Sequence, residues 1–256
     1  DSAILLNITA GKDELDASTP GVEVLNYTKK INNGVKGIKI GRPKEYFTIG
    51  LNNQIKQLTD NALKKYETLG AEIIDISLPH TEYANPCYYI IQPSEVSSNL
   101  ARYDGIRYGN DRSYFGDEAK RRIMLGTYTL SAGYYEAYYK KAMQVRTLIK
   151  KDFDEAFKKI DVIVAPVSPT PPWKLGEKIG DPLKMYLSDI FTVTANLAGI
   201  PGLSVPIGFI DPSASSGQAL PVGMQILGPQ FSEGLLFQIG HQYEQSTNWN
   251  KSKPIL

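Results

Sequence analysis

The stretch that decides the fold is Asp181-Pro-Leu-Lys-Met-Tyr-Leu-Ser-Asp-Ile-Phe-Thr-Val-Thr-Ala-Asn-Leu-Ala-Gly-Ile-Pro-Gly-Leu-Ser-Val-Pro206, followed after a polar segment by Leu220-Pro-Val-Gly-Met-Gln-Ile-Leu-Gly228. Its opening Asp-Pro pair is typical of a helix N-cap with proline at the first helical position. Apolar residues then recur every three or four positions, which predicts a helix from Asp181 to about Ala198. Gly199 should end this helix.

Two short strands follow the predicted helix. Residues 203–207 form an apolar run that Pro206 interrupts, and residues 222–227 form a second run bounded by proline and glycine. A helix that turns sharply into a buried strand is a rigid scaffold. On that helix Asp189, Thr192 and Asn196 lie on one side at i, i+3 and i+7, so they form either a solvated face or part of a binding site.

The N-terminal third predicts a strand–helix–strand unit. Residues 38–43 form a short strand, and a helical pattern of apolar residues begins near Asn53 and stops at Gly70. Residues 72–77 then alternate as the next strand. Such a unit is typical of a parallel or mixed sheet with covering helices, so the predicted fold class is α/β.

The middle of the chain is predicted to be mainly helical. Residues 118–157 carry apolar positions at steps of three and four, and Gly126 and Gly133 should divide them into separate helices. The paired tyrosines in this region are expected to pack one helix against its neighbours. A strand at residues 161–166 and a last helix capped by Ser232 complete the pattern.

The composition indicates a globular protein with little charge bias. The 256 residues are 42% hydrophobic and carry a formal net charge of +1, so general attraction to nucleic acid is not expected. The single cysteine, Cys87, excludes an internal disulfide and fits a reducing, cytoplasmic environment. With only two histidines, a zinc site made by this chain is not expected, and no apolar run is long enough to span a membrane.

Two motifs resemble a known family. Asn196-Leu-Ala-Gly-Ile-Pro-Gly-Leu-Ser-Val-Pro with Pro221-Val-Gly-Met-Gln-Ile-Leu-Gly, and the tyrosine-rich stretch Tyr88-Tyr-Ile-Ile-Gln-Pro-Ser-Glu-Val-Ser-Ser-Asn-Leu-Ala-Arg-Tyr-Asp-Gly-Ile-Arg-Tyr-Gly, resemble the amidase signature family, in particular the A subunits of tRNA-dependent amidotransferases. The resemblance implies a mixed sheet covered by helices on both faces. It also implies that residues 1–256 are the C-terminal part of a single amidase domain.

The catalytic machinery of that family is a Ser–Ser–Lys triad on a Gly/Ser-rich segment. The Ser-Ser pairs here, Ser97-Ser98 and Ser215-Ser216, lack glycine-rich flanks. Because residues 2–11 look like the end of a helix, we expect a piece of a longer chain whose preceding part carries the triad. The piece alone is expected to be inactive.

The resemblance also implies a substrate and partners. The parent enzyme hydrolyses glutamine, and the ammonia serves to amidate glutamyl-tRNA(Gln) or aspartyl-tRNA(Asn) in a complex with the B and C subunits. ATP and magnesium belong to the partner, and tRNA is contacted indirectly through the complex. No membrane is involved.

Glutamine recognition requires a cation for its α-carboxylate and an anion for its α-ammonium group. The family's arginine lies in the motif matched by Lys120-Arg121-Arg122-Ile123, and its aspartate matches Asp189. Neighbouring helix positions diverge by roughly 100°, so one arginine faces the pocket, and the alignment favours Arg122. Tyr88 and Tyr89 are candidates for the pocket wall. By itself the basic run is more typical of a solvated helix end.

Two other classes of function stay open on the sequence. One is an amidase signature hydrolase that acts on a neutral or apolar amide and has no need of an Arg/Asp pair. The other is a non-enzymatic module that binds a small molecule.

Overall fold

The computed structural model describes residues 1–48, 50–105, 107–177, 185, 188–210 and 219–252. Seven α-helices lie within these residues: α1 Ser2–Thr9, α2 Asn53–Thr68, α3 Ala84–Leu100, α4 Asp117–Thr129, α5 Lys141–Ala156, α6 Val193–Ala198 and α7 Glu233–Ser246. The strands in the same residues are β1 Lys39–Pro43, β2 Glu72–Ile76, β3 Val162–Pro166, β4 Gly202–Ile210 and β5 Leu220–Leu227. None of the helices in this part of the chain is long and apolar enough to cross a bilayer.

The described strands form one mixed sheet in the order β2-β1-β3-β5-β4. β1 pairs in parallel with β2 and β3, and β5 pairs antiparallel with β3 and β4. The parallel pair β1–β2 is joined by α2, as the strand–helix–strand pattern predicted. The predicted α/β class with a mixed sheet is therefore confirmed.

Helices cover both faces of the sheet. The side chains of β3 alternate between two core clusters: Val162 and Val164 pack with α2 and α7, whereas Ile163 and Ala165 pack with α3, α5 and α6. All five residues of β3 are buried, as expected for a strand with a layer on each side. Each layer contributes an apolar stripe to one side of the same sheet.

Local signals fix the ends of α2. The Asn52 side chain accepts hydrogen bonds from the backbone N–H groups of Gln54 and Ile55, at 2.8 and 3.3 Å, and so caps the first turn. Gly70 follows the last turn with φ +94°, a conformation that residues with a side chain rarely adopt. The predicted start and stop of this helix are confirmed.

The prediction of a continuous helix up to residue 198 is only partly right. Its start at Asp181 lies outside the described residues. Met185 is helical, residues 188–192 form turns, and helical geometry is present again from Val193. The Asp189 carbonyl accepts from both the Thr192 and the Val193 N–H at 3.0 Å, and the Phe191 carbonyl is bonded to a side chain instead of the next helical turn. Gly199 ends the helix with φ +69°, as predicted.

Gly126 does not divide the central helices. It lies inside α4, where a Cβ atom would be only 1.9 Å from the carbonyl oxygen of Pro93 in α3. Glycine is therefore needed here for close helix packing and not for chain reversal. Gly133, with φ +83°, does break the helix as expected.

The paired tyrosines contact the neighbouring helix α4 while staying partly exposed. Tyr134, Tyr135 and Tyr138 are each about two-fifths exposed, and the Tyr134 ring contacts Tyr128 and Tyr138 at centroid distances of 4.3 and 5.8 Å. They lie around Tyr135–Lys140, a π-helical turn in which the side-chain spacing differs from that of an α-helix. The expected packing against a neighbouring helix is therefore confirmed for Tyr134 and Tyr138, whose rings contact Tyr128 of α4.

Candidate functional site

Arg122 lies in the second turn of α4 and faces α3. Its Nε donates to Glu118 Oε1 at 2.8 Å, one helical turn earlier. Its Nη1 crosses to α3 and donates to the Tyr88 hydroxyl at 3.2 Å and to Gln92 Oε1 at 2.5 Å. The guanidinium is thereby fixed to two helices, and none of these bonds uses Nη2.

The neighbouring arginine has a different environment. Arg121 donates from Nη1 to Glu118 Oε2 at 2.6 Å, but its side chain remains 55% exposed against 23% for Arg122. The roughly 100° between adjacent helical residues accounts for this difference. Arg122 is therefore the arginine of the motif that turns inward.

The surroundings of Arg122 favour its charged form. Partial burial acts against the charge, but the hydrogen bonds to Tyr88 and Glu118 outweigh it and hold the pKa of Arg122 above its usual value. The group is a permanent cation in a half-buried position. A carboxylate is the natural partner for such a group.

Tyr88 and Tyr89 lie beside this guanidinium. Their rings meet edge to face at 5.0 Å, and the Arg122 Cζ lies 5.9 Å from the centre of the Tyr89 ring. The structure thus brings together Arg122 and both candidate tyrosines. Gln92 was not predicted from the sequence, although its position one helical turn after Tyr88 places it on the same side of α3.

Asp189 lies in a separate cavity of about 310 Å³ at the end of β3. The cavity is lined by the proline-rich loop after β3, by the turn that precedes α6, and by residues of β4 and β5. The lining includes Ser168, Thr170 and Trp173 from the loop, Ser188 and Thr192 from the turn, and Ser204 from β4. Arg122, Tyr88 and Tyr89 do not line this cavity.

A larger cavity of about 810 Å³ adjoins the one at Asp189. The two share Thr170 and Ser188, and the larger one extends along Pro79, Ile190 and Phe191 with mainly apolar walls. Cavities of this size are typical of ligand sites and of surfaces covered by another part of a protein.

Other reactive groups in the described residues are engaged in structural contacts. The Ser97 hydroxyl lies 2.9 Å from that of Thr127 on α4, and the Ser215-Ser216 pair lies outside the described residues. His80 Nδ1 is 2.9 Å from Asp152. Within the part of the chain that the structure describes, no three His, Cys, Asp or Glu residues group as a metal site would require.

Comparison with known proteins gives a consistent result. The amidase family model matches residues 1–237. The A subunits of the glutamyl-tRNA(Gln) amidotransferases of Thermodesulfovibrio yellowstonii and Carboxydothermus hydrogenoformans are 53% and 51% identical over the whole of this chain. The chain covers 54% of each of them, so it spans about half the length of these curated relatives.

Solved structures agree in fold. The glutamyl-tRNA(Gln) amidotransferase A subunit of Thermotoga maritima matches with a TM-score of 0.77 and 42% identity, over 96% of this chain and 50% of that one. A bacterial aryl acylamidase of the amidase signature family matches with a TM-score of 0.75 and 23% identity. This match covers 99% of this chain and 53% of the acylamidase chain, and at this identity it supports the fold alone. The resemblance inferred from the motifs is confirmed, and the chain belongs to the amidase family.

Proposed function

We propose that this chain is the C-terminal, glutamine-binding portion of the A subunit of a tRNA-dependent amidotransferase. The observation that carries the proposal is the half-buried Arg122 guanidinium, which Glu118, Tyr88 and Gln92 fix with Nη2 outside their bonds. A cation held in this way suits the α-carboxylate of an amino acid, because the N–H groups of Nη2 can still donate to a carboxylate oxygen.

Asp189 is proposed to bind the α-ammonium group of glutamine. It is exposed on a cavity of about 310 Å³, a volume that suits a small polar metabolite. Arg122 and Asp189 line different surfaces of this chain, so we propose that the remainder of the amidase domain completes the site between them. That remainder would supply the Ser–Ser–Lys triad, with a serine as nucleophile.

The proposed activity of the parent enzyme is hydrolysis of glutamine to glutamate and ammonia. The names of the relatives support use of the ammonia on glutamyl-tRNA(Gln), and aspartyl-tRNA(Asn) is the alternative acceptor. The B and C subunits of the complex would be the partners, with ATP and magnesium bound on the partner side and tRNA contacted through the complex. The complex would work in the cytoplasm.

The test is a pair of adjacent substitutions in the complete enzyme. Arg122→Lys keeps the charge but removes the planar guanidinium and its hydrogen bonds to α3. Charge-assisted hydrogen bonds are worth about 1.5–3 kcal/mol, so we expect the glutamine KM to rise about 10- to 100-fold. Arg121→Lys is the matched control and should leave the KM within about twofold.

The assay is ammonia release from glutamine, run beside hydrolysis of an uncharged aryl amide. A hydrolase of apolar amides would prefer the aryl amide and lose none of that activity in the Arg122→Lys enzyme. Equal KM values for glutamine in the two variants would contradict the proposed role of Arg122.

A further inference from the structure

Gln225 is a buried polar residue at the centre of the sheet. It lies in β5, is only 5% exposed, and its side chain points to the face covered by α3, α5 and α6, because the neighbouring Met224 and Ile226 belong to the opposite core cluster. A buried side-chain amide lowers the stability of the fold unless its donors and acceptor form hydrogen bonds. Its contacts therefore indicate what it does.

The side-chain amide of Gln225 donates to backbone carbonyls on two different segments. Nε2 donates to the Pro166 oxygen at 2.9 Å and to the Phe191 oxygen at 2.8 Å. Pro166 is the last residue of β3, where the proline-rich loop begins. Phe191 lies in the turn that precedes α6, two residues after Asp189.

These two segments both line the Asp189 cavity. The loop contributes Ser168, Thr170 and Trp173, and the turn contributes Ser188 and Asp189. The buried amide of Gln225 thus bonds both to the start of the loop and to the turn, and connects these two segments to β5. Since the Phe191 carbonyl bonds to Gln225, the turn keeps the non-helical geometry that presents Asp189 to the cavity.

We infer that Gln225 is a positioning residue for Asp189 and sets the geometry with which the site recognises an α-ammonium group. The inference rests on the proposed function, since it assumes that Asp189 binds this group. Gln225 touches no substrate in this role. It acts by holding the turn, and with it the Asp189 carboxylate, in a fixed position relative to β5. A displacement of a binding group by about 1 Å can reduce turnover on the order of a hundredfold.

The experiment compares two substrates in the complete enzyme. Glutamine is one, and glutaramate, which has the same amide and carboxylate but no α-ammonium group, is the other. Gln225→Met removes both donors at similar volume, and Asp189→Asn removes the proposed anion. We expect each variant to raise the glutamine KM at least about tenfold and to leave the glutaramate KM within about twofold. In the double variant the two effects should not add.

Gln238→Met is the matched control. Gln238 also donates from Nε2 to a backbone carbonyl, that of Gly34 at 2.8 Å, but on α7 and away from the cavity. It should change neither KM. A substitution that acts only through stability would lower the unfolding midpoint without distinguishing the substrates.

The outcomes separate the two ideas. If Asp189→Asn discriminates between the substrates and Gln225→Met does not, the positioning role is overturned while the proposed function stands. If Asp189→Asn fails to discriminate, the proposed role of Asp189 fails and the inference fails with it. Should Gln225→Met not fold, Gln225→Asn, which keeps an amide too short to reach both carbonyls, must show the same discrimination. Failure of both variants to fold would assign Gln225 to stability alone.

Discussion

Replacing Gly126 by alanine tests how closely α4 must approach α3. A Cβ atom at Gly126 would lie 1.9 Å from the carbonyl oxygen of Pro93, 2.5 Å from its carbonyl carbon and 2.6 Å from Ser97 Cβ. Two of these atoms belong to the backbone and cannot rotate away. The two helices must therefore separate until the closest contact exceeds 3.0 Å.

The expected free-energy change combines two opposing effects. Overpacking in a tight core costs about 1–3 kcal/mol, and a clash with backbone belongs at the upper end of that range. Alanine in place of glycine within a helix contributes about 1 kcal/mol in the opposite direction. We therefore expect a net loss of about 2 kcal/mol in the free energy of unfolding.

The same movement should weaken substrate binding. Arg122 reaches from α4 to Tyr88 and Gln92 on α3, so separation of the helices stretches both bonds. Loss of this support should raise the glutamine KM about tenfold, equivalent to about 1.4 kcal/mol.

Urea unfolding and glutaminase kinetics of the complete enzyme measure the two effects. Gly234→Ala is the control, since it is also a helical glycine but its Cβ would meet only Tyr27 Cδ1, at an ordinary 3.7 Å. The control should be as stable as the parent or slightly more so. Parent-like urea midpoint and KM in the Gly126→Ala enzyme would refute the packing argument.

Two further predictions concern single sites elsewhere in the fold. Burial raises the pKa of the Cys87 thiol to about 11, so roughly 0.1% of it is thiolate at pH 8. A thiol-specific disulfide reagent should therefore label Cys87 at least about 100-fold more slowly in native protein than in urea. Equal labelling rates would show that the thiol is accessible in the native protein. Asn52→Ala removes the cap of α2 and should lower the free energy of unfolding, measured by urea titration, by about 1 kcal/mol. Asn53→Ala, at the exposed neighbouring position, should lower the free energy of unfolding far less. Equal losses in the two variants would contradict the capping role of Asn52.

The elements that sequence predicted well are those with signals inside the element. α2 has its own cap at Asn52 and its own stop at Gly70, and β3 is a short apolar run with clear boundaries. Helical rotation also predicted that only one of Arg121 and Arg122 turns inward, and the family resemblance selected Arg122.

The errors have a common physical cause, which is contact with a distant segment. The glycine at 126 looked like a helix breaker because the sequence around it does not reveal Pro93 on another helix. The sequence of residues 188–192 predicted a helix because its apolar residues follow helical spacing. In the structure the Phe191 carbonyl instead accepts from a side chain more than thirty positions later.

The two proposed glutamine ligands are supported by different parts of the fold. Arg122 is fixed by the α3–α4 pair, whose approach depends on Gly126. The turn that carries Asp189 is bonded to Gln225 of the sheet through the Phe191 carbonyl. Arg122 and Asp189 were predicted through the family resemblance, whereas Gln92 and Gln225 are neutral amides whose importance lies in what they bond to. Because the supports share no residue, recognition of the carboxylate and of the ammonium group should be separable by mutation, with packing changes at Gly126 acting on the first and hydrogen-bond changes at Gln225 on the second.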